Sequence, residues 1–133
     1  MKELTKTFIK IDNWGEMELV YLVDTVMSLK SMGTWKFEKW VPTPALIDKN
    51  GKVARPYIGQ SFDPQYIDLV PSGWTHDHCE ICTKTISDKD NYDDWATQGY
   101  KLKNNWICEE CFALFMMTDN LDQELMKYQR IEK

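Results

Sequence analysis

The stretch GWTHDHCEICTKTIS, residues 73–87, decides how the second half of this 133-residue chain is interpreted. It contains two histidines and a Cys-x-x-Cys pair, and a second such pair follows in WICEECF, residues 106–112. Each Cys-x-x-Cys turn places two sulfurs on one side of a tight loop, and two turns complete the tetrahedron that Zn²⁺ prefers. With 25 residues between the pairs, the spacing predicts one structural zinc ion, held by Cys79, Cys82, Cys108 and Cys111.

The cysteine usage bears on the alternatives to zinc. All four cysteines belong to the two pairs, whereas a thioredoxin-like redox site needs a single pair. A secreted disulfide scaffold would usually be shorter and richer in cysteine. The longest purely apolar run, residues 19–23, is far too short for a membrane span or a signal-peptide core. We therefore expect a soluble cytoplasmic protein with reduced thiols.

The segments around the second pair indicate which zinc fold to expect. GYKLKNNWI, residues 99–107, has the form of a short hairpin that turns at Asn104 and Asn105. Directly after Cys111, the apolar residues 112–115 suit the start of a helix. A helix amino terminus favours thiolate ligands through its dipole and its free N–H groups. A knuckle, a hairpin and then ligands at a helix start predict a treble-clef module.

These motifs carry a resemblance that covers roughly the last sixty residues. The pattern G-W-T-H-D-H-C-x-x-C, followed later by W-x-C-x-x-C, resembles a group of small bacterial proteins. The knuckle is also similar to LIM-like treble-clef modules. The resemblance implies zinc on the four cysteines and implies no activity.

The first half of the chain, residues 1–73, predicts an antiparallel β region. TWKFEKWV, residues 34–41, is typical of a strand, and residues 45–56 predict a hairpin with its turn at residues 48–51. Residues 59–71 suit a loop that leads into the zinc module, residues 74–133. The expected fold is α+β: the β region, then a treble-clef-like module that ends in helix, packed as one unit.

Residues 16–32 allow two interpretations. β-branched and aromatic residues favour a second strand after a turn at residues 12–15. The alternative is a helix with an Asn13–Glu16 capping box, a stripe at Leu19, Leu22, Val26 and Leu29, and an end at Gly33. We favour the strand and keep the helix open.

The two histidines raise the question of catalysis. His78 and Glu80 form His-x-Glu, which zinc deaminases combine with Pro-Cys-x-x-Cys. Here Ile107 stands where that motif has proline, and Cys79 and Cys82 are better ligands than His78 alone. A closed four-sulfur site is structural. We expect no catalytic residues, and we expect His76 and His78 to fix the knuckle by donating N–H to a sulfur or a carbonyl. A deaminase-like or hydrolytic enzyme that uses His78 and Glu80 is the alternative.

The formal net charge of −5 belongs entirely to the second half. Residues 1–73 carry nine basic and nine acidic side chains, whereas residues 74–133 carry seven and twelve. Four thiolates around Zn²⁺ would bring the module to about −7. Such a charge repels a phosphate backbone unless basic residues gather on one face. A nucleic-acid-binding zinc module is therefore a weaker alternative.

An acidic and aromatic segment, SDKDNYDDW, lies between the two cysteine pairs. We name it the acidic loop; its candidate partner-binding residues are Asp88, Asp90, Tyr92, Asp93, Asp94 and Trp95. Acidic side chains around aromatic rings suit a basic protein partner. The expected function is non-catalytic protein recognition, and a bacterial toxin-neutralising immunity protein fits the size and the acidity.

Overall fold

Four small antiparallel sheets and three helical regions build the described part of the chain. The computed structural model describes residues 6–11, 15–89 and 91–133. In this part of the chain, the helical regions are α1 (Leu19–Ser31), α2 (Glu109–Cys111) with a π-helical segment (Phe112–Met116), and α3 (Leu121–Leu125). The strands are β1 (Thr7–Ile11), β2 (Gly15–Glu18), β3 (Lys36–Lys39), β4 (Thr43–Asp48), β5 (Ala54–Pro56), β6 (Ile67–Trp74), β7 (Asp77–His78), β8 (Thr85–Ile86), β9 (Gln98–Leu102), β10 (Asn105–Ile107) and β11 (Gln129–Glu132).

The sheets connect the two halves of the sequence. Their strand orders are β11-β1-β2, β10-β9-β3, β5-β4-β6 and β7-β8. Strand β1 pairs with β11 at the other end of the chain, and β3 pairs with β9 next to the second cysteine pair. The fold is therefore a mixed one of sheets and few helices, with the cysteines clustered in its C-terminal half.

The favoured strand over residues 16–32 is wrong beyond Glu18. Strand β2 ends there and helix α1 follows, with Leu22, Val26 and Leu29 buried on its inner face. In a helix these apolar side chains lie on one face and are buried together, whereas a strand would divide them between two faces. The free energy gained by this burial outweighs the weak strand preference of the β-branched residues. Asn13 of the predicted capping box, like the rest of residues 12–14, lies outside the described residues.

Helix α1 has no side-chain cap at its amino end. Its N-cap residue is Glu18, and the cap residue at the other end, Met32, donates its backbone N–H to Leu29. Gly33 follows with a φ of +139°, a conformation that glycine adopts without strain. Packing of the inner face, rather than capping, therefore accounts for most of the stability of the helix.

The predicted hairpin at residues 45–56 is present. Gly51 donates its backbone N–H to Asp48 at 2.7 Å, which closes the predicted turn. The loop predicted for residues 59–71 is wrong from Ile67 onward, because β6 begins there and pairs with β4. Pro71 does not break this strand, because residues 71–73 lie at an irregularity in the pairing with β4, between the pairs Ala45–Val70 and Thr43–Trp74.

Two details of the second half also differ from the prediction. The β9–β10 hairpin turns at Lys103 and Asn104, one residue earlier than expected, because Asn105 pairs with Leu102. The module does not end in helix, since strand β11 follows α3 and pairs with β1. Asn120 caps α3, and its side chain accepts the N–H of Gln123 at 3.0 Å.

One apolar cluster joins the two halves. It contains Ile9 and Ile11 of β1, the inner face of α1, and the buried side chains Ile86, Ile107, Phe115 and Leu125. Cys79, Cys108 and Cys111 belong to the same cluster. The cysteine site therefore lies at the edge of the main core. None of the helices in the described ranges is long and apolar enough to cross a membrane.

Candidate metal centre

The first cysteine pair lies on a tight knuckle that follows β7. Cys79 donates its backbone N–H to Lys84 at 2.8 Å and accepts that of Thr83 at 2.9 Å, which closes the loop. Within it, the N–H of Ile81 points at the sulfur of Cys79, 3.4 Å away. N–H groups directed at a sulfur stabilise a thiolate.

The second pair begins a helix directly after β10. Cys108 is the N-cap residue of α2, and its sulfur accepts the N–H of Cys111 at 3.5 Å. In both pairs, the sulfur of the first cysteine thus accepts a hydrogen bond from a backbone N–H that lies two or three residues later in the chain. The amino end of the helix adds a favourable field for negative charge.

Backbone pairing brings the two pairs together. Glu80 donates its N–H to the carbonyl of Trp106 at 2.9 Å, and Cys79 and Trp106 form a short parallel bridge. As a result, the four Sγ atoms all lie within 4.8 Å of one another, and those of Cys82 and Cys108 are 3.7 Å apart. Three of the cysteines are buried and Cys82 is half-buried. The cluster can hold a metal ion, and its four sulfurs favour a soft one.

The electrostatics of the cluster also favour a cation. Hydrogen bonds from the thiols of Cys108 and Cys111 lower the pKa of Cys79. The pKa of Cys111 is raised, first through its hydrogen bonds with Cys108, Cys79 and Cys82, and further by burial. Four sulfurs this close cannot all become thiolates unless a positive charge lies among them. A metal ion held by the four sulfurs would supply that charge.

The two histidines lie on the exposed side of the knuckle. The Nδ1 atom of His78 is 3.1 Å from the carbonyl oxygen of Thr83, so it is the ring nitrogen that donates. His76 is next to the hydroxyl of Thr75, and the two imidazole rings are 5.0 Å apart. Neither ring belongs to the group of metal-ligating side chains found among the described residues.

Glu80 has an environment that disfavours its charge. Partial burial raises the pKa of its carboxyl group, and the negative charges of Cys79 and Asp77 raise it further. Its backbone, in contrast, has the structural role described above, because it links the first knuckle to β10.

Two hydrogen bonds of Ser87 fix the base of the acidic loop. Ser87 donates its backbone N–H to Ala96 at 2.9 Å, and its buried hydroxyl donates to Thr75 at 2.9 Å. Beyond this base the side chains of Asp88, Tyr92, Asp93 and Asp94 are exposed, and Trp95 is half-buried. The rings of Tyr92 and Trp95 are 4.9 Å apart. Asp90 lies outside the described residues.

Three residues near the site escaped the sequence analysis. Thr83 has a φ of 65°, Ser87 is buried, and both oxygens of Asp77 accept indole N–H groups. The position of Thr83 directly after a Cys-x-x-Cys turn was a usable signal. The sequence contained no signal for the contacts of Asp77, because one of its partners, Trp40, lies 37 residues away. Comparison with models of protein families, with curated proteins and with solved structures finds no match for this chain.

Proposed function

We propose that this chain is a non-catalytic protein-recognition protein stabilised by one structural Zn²⁺ ion in a treble-clef-like module. The single observation that carries the proposal is the cluster of four cysteine sulfurs within 4.8 Å of one another. Zn–S bonds of about 2.3 Å in a tetrahedron imply sulfurs about 3.8 Å apart. The 3.7 Å between Cys82 and Cys108 agrees with that value.

The order of elements supports the treble-clef assignment. A knuckle carries Cys79 and Cys82, the β9–β10 hairpin follows, and Cys108 and Cys111 lie at the start of α2. A zinc ribbon would instead place its second pair on another hairpin. The helix start therefore distinguishes the two folds.

A four-sulfur shell argues against the deaminase-like alternative. Catalytic zinc needs a position for water, and four cysteine ligands leave none. The alternative would also require His78 in place of a sulfur, but among the described residues the group of side chains that could hold a metal ion does not include His78. Zinc is thus a structural ion in this proposal, and the function lies on the surface.

The acidic loop is the surface that we assign to recognition. In the described part of the chain, Asp88, Asp93 and Asp94 form no ion pair, so their charge is available to a partner. The ring of Tyr92 is 60% exposed beside them. Acidic charges around an exposed aromatic ring suit a basic protein surface, such as that of a toxin that the chain would neutralise. The same charges disfavour nucleic acid.

The experiment begins with capture of the partner from source cells on the full-length, metal-bound chain, followed by mass spectrometry. Association rates are then measured between 50 mM and 500 mM salt for the original chain and for a variant with Asp88, Asp90, Asp93 and Asp94 changed to Asn. Screening weakens steering by exposed charges. We expect association of the variant to be at least tenfold slower at low salt and to lose most of its salt dependence.

The matched control changes four aspartates outside the acidic loop to Asn, all of them exposed: Asp24, Asp63, Asp119 and Asp122. It has the same net charge as the test variant, but it leaves the acidic loop intact. Its association should remain within about threefold of the original rate, since charges near the interface dominate steering. If both variants slow association equally, or if the captured partner is a nucleic acid, the proposal is wrong.

A further inference from the structure

A cleft separate from the cysteine cluster and the acidic loop is lined by aromatic rings. It has a volume of about 230 Å³ and lies between strand β3, the β4–β5–β6 sheet and the β9–β10 hairpin. Four of its lining residues are aromatic: Trp40, Tyr57, Trp74 and Trp106. One water needs about 10–15 Å³, and clefts for drug-sized ligands begin near 300 Å³. The cleft therefore has room for a small molecule or for one long side chain.

A carboxylate fixes two of these rings. Asp77 accepts the indole N–H of Trp40 at 2.9 Å with one oxygen, and that of Trp74 at 3.1 Å with the other. These bonds satisfy the polar edges of both indoles. Trp40 is only 3% exposed, so the half-buried ring of Trp74 supplies most of the indole surface that these two residues offer to the cleft.

The charge of Asp77 has no cationic partner. Its half-buried carboxylate forms no ion pair with any residue in the ranges 6–11, 15–89 and 91–133. The two indoles that bind it are neutral donors, so they leave its full negative charge in place. A partly desolvated carboxylate is stabilised when a cation comes near it. Glu38 adds a second acidic group to the lining.

An ammonium group already lies against one of the rings. The Nζ atom of Lys101, a residue that also lines the cleft, is 5.6 Å from the centre of the Trp106 ring. Attraction between a cation and an indole face acts at this range. Lys101 thus places one ammonium group against an indole of the lining, and a ligand with the same chemistry would compete with it.

We infer that this cleft binds an alkylated ammonium group, which packs against the half-buried rings of Trp74 and Tyr57 and faces the carboxylate of Asp77. Quaternary ammonium is the form that aromatic cages recognise, because its positive charge is spread over methyl groups that cost little to desolvate. The carboxylates of Asp77 and Glu38 would repel an anionic ligand. Lys39, which also lines the cleft, has an exposed side chain. The inference does not depend on the proposed function, since the lining of the cleft shares no residue with the acidic loop.

The test uses tryptophan fluorescence of the full, metal-bound chain, titrated with choline and with 3,3-dimethyl-1-butanol. The two probes have the same shape, but a carbon replaces the quaternary nitrogen in the second. We expect choline to bind saturably and at least tenfold more tightly than the alcohol. N-acetyl-trimethyllysine amide is the third probe. If this probe binds more tightly than choline, the natural ligand is a modified lysine side chain. If choline binds more tightly, the natural ligand is a free small molecule. Both results support the inference.

Two variants decide which charge the cleft recognises. Asp77→Asn should weaken choline binding at least tenfold, with circular dichroism as the check that the chain remains folded. Lys101→Met removes the internal competitor and should tighten choline binding several-fold. Lys103→Met makes the same charge change in the β9–β10 turn, outside the cleft lining, and should leave binding unchanged.

Several outcomes would overturn the inference. Equal binding of choline and the alcohol would show that charge is not recognised. Absence of choline binding up to 50 mM would show that the cleft does not take this group. Weaker binding of choline by Lys101→Met would show that Lys101 does not compete with an ammonium ligand. Binding of adenosine monophosphate in place of choline would show that the lysines act as anion ligands.

Discussion

Thr83 has a left-handed backbone conformation that β-branched residues rarely adopt. Its φ of 65° follows from the tight knuckle, in which its N–H bonds to the carbonyl of Cys79. For an L-residue this conformation costs about 1–2 kcal/mol, and glycine adopts it freely. The chain thus holds a strained residue directly beside Cys82 of the four-cysteine cluster.

We predict that Thr83→Gly stabilises the protein. Relief of about 1–2 kcal/mol of strain outweighs the roughly 0.5–1 kcal/mol that glycine costs in chain entropy. The free energy of unfolding should rise by about 0.5–1 kcal/mol, measured by urea denaturation at a fixed concentration of free metal.

Thr85→Gly is the control for this prediction. Thr85 lies two residues further on, in the extended strand β8, where glycine relieves no strain, has its entropic cost and removes the contact of the Thr85 hydroxyl with Nδ1 of His78 at 3.5 Å. This variant should lose about 1 kcal/mol of stability. If Thr83→Gly is as destabilising as Thr85→Gly, then the conformation of Thr83 is not strained.

At the scale of elements, the β9–β10 hairpin positions the second cysteine pair. Gly99 of β9 is buried, and a Cβ atom there would lie 2.7 Å from the carbonyl oxygen of Ile107, the residue before Cys108. Real Cβ contacts are essentially never this short, so the two strands would have to separate. Only glycine lets the backbone of Ile107 approach so closely.

We therefore expect Gly99→Ala to weaken both the fold and the metal site. Overpacking of this kind costs roughly 1–3 kcal/mol, and here the displaced backbone leads directly into Cys108. The free energy of unfolding should fall by that amount, and the metal should be lost at a lower concentration of a competing chelator.

Gly51→Ala separates the two effects of Gly99→Ala. Gly51 has a φ of +74° in the β4–β5 turn and no atom within 4 Å of an added Cβ. Alanine there should lower stability through backbone strain alone and leave metal retention unchanged. Equal metal retention in Gly99→Ala and Gly51→Ala would contradict the role of the hairpin.

Much of the candidate site could be predicted from the sequence, because it depends on local chemistry. The positions of the four cysteines, the β9–β10 hairpin and a helix at the second pair all follow from short motifs, although the helix begins at Glu109 and not directly after Cys111 as predicted. The β4–β5 hairpin followed from its turn residues in the same way.

Other features depend on partners that are far apart in the chain. The local sequence of helix α1 favours a strand. The stripe of Leu22, Val26 and Leu29 stabilises a helix only when it packs against a core, and that core is formed by residues elsewhere in the chain. Strand β11 escaped prediction for a related reason, since its partner β1 lies at the other end of the chain.

At the scale of the whole molecule, the cysteine cluster and the apolar core are continuous. Cys79, Cys108 and Cys111 are buried in the same cluster as Ile9, Leu22 and Phe115. Structural zinc at such sites contributes on the order of 10–16 kcal/mol of binding free energy, which is then folding free energy. In this account, the metal compensates for the modest core of a small chain.

The most direct test of this account is the metal itself. Protein purified without chelator is analysed by elemental mass spectrometry and by X-ray absorption at the zinc edge. The account predicts one zinc ion per chain, with four sulfur neighbours at about 2.3 Å. Absence of bound metal, or a shell in which nitrogen or oxygen replaces a sulfur, would contradict it.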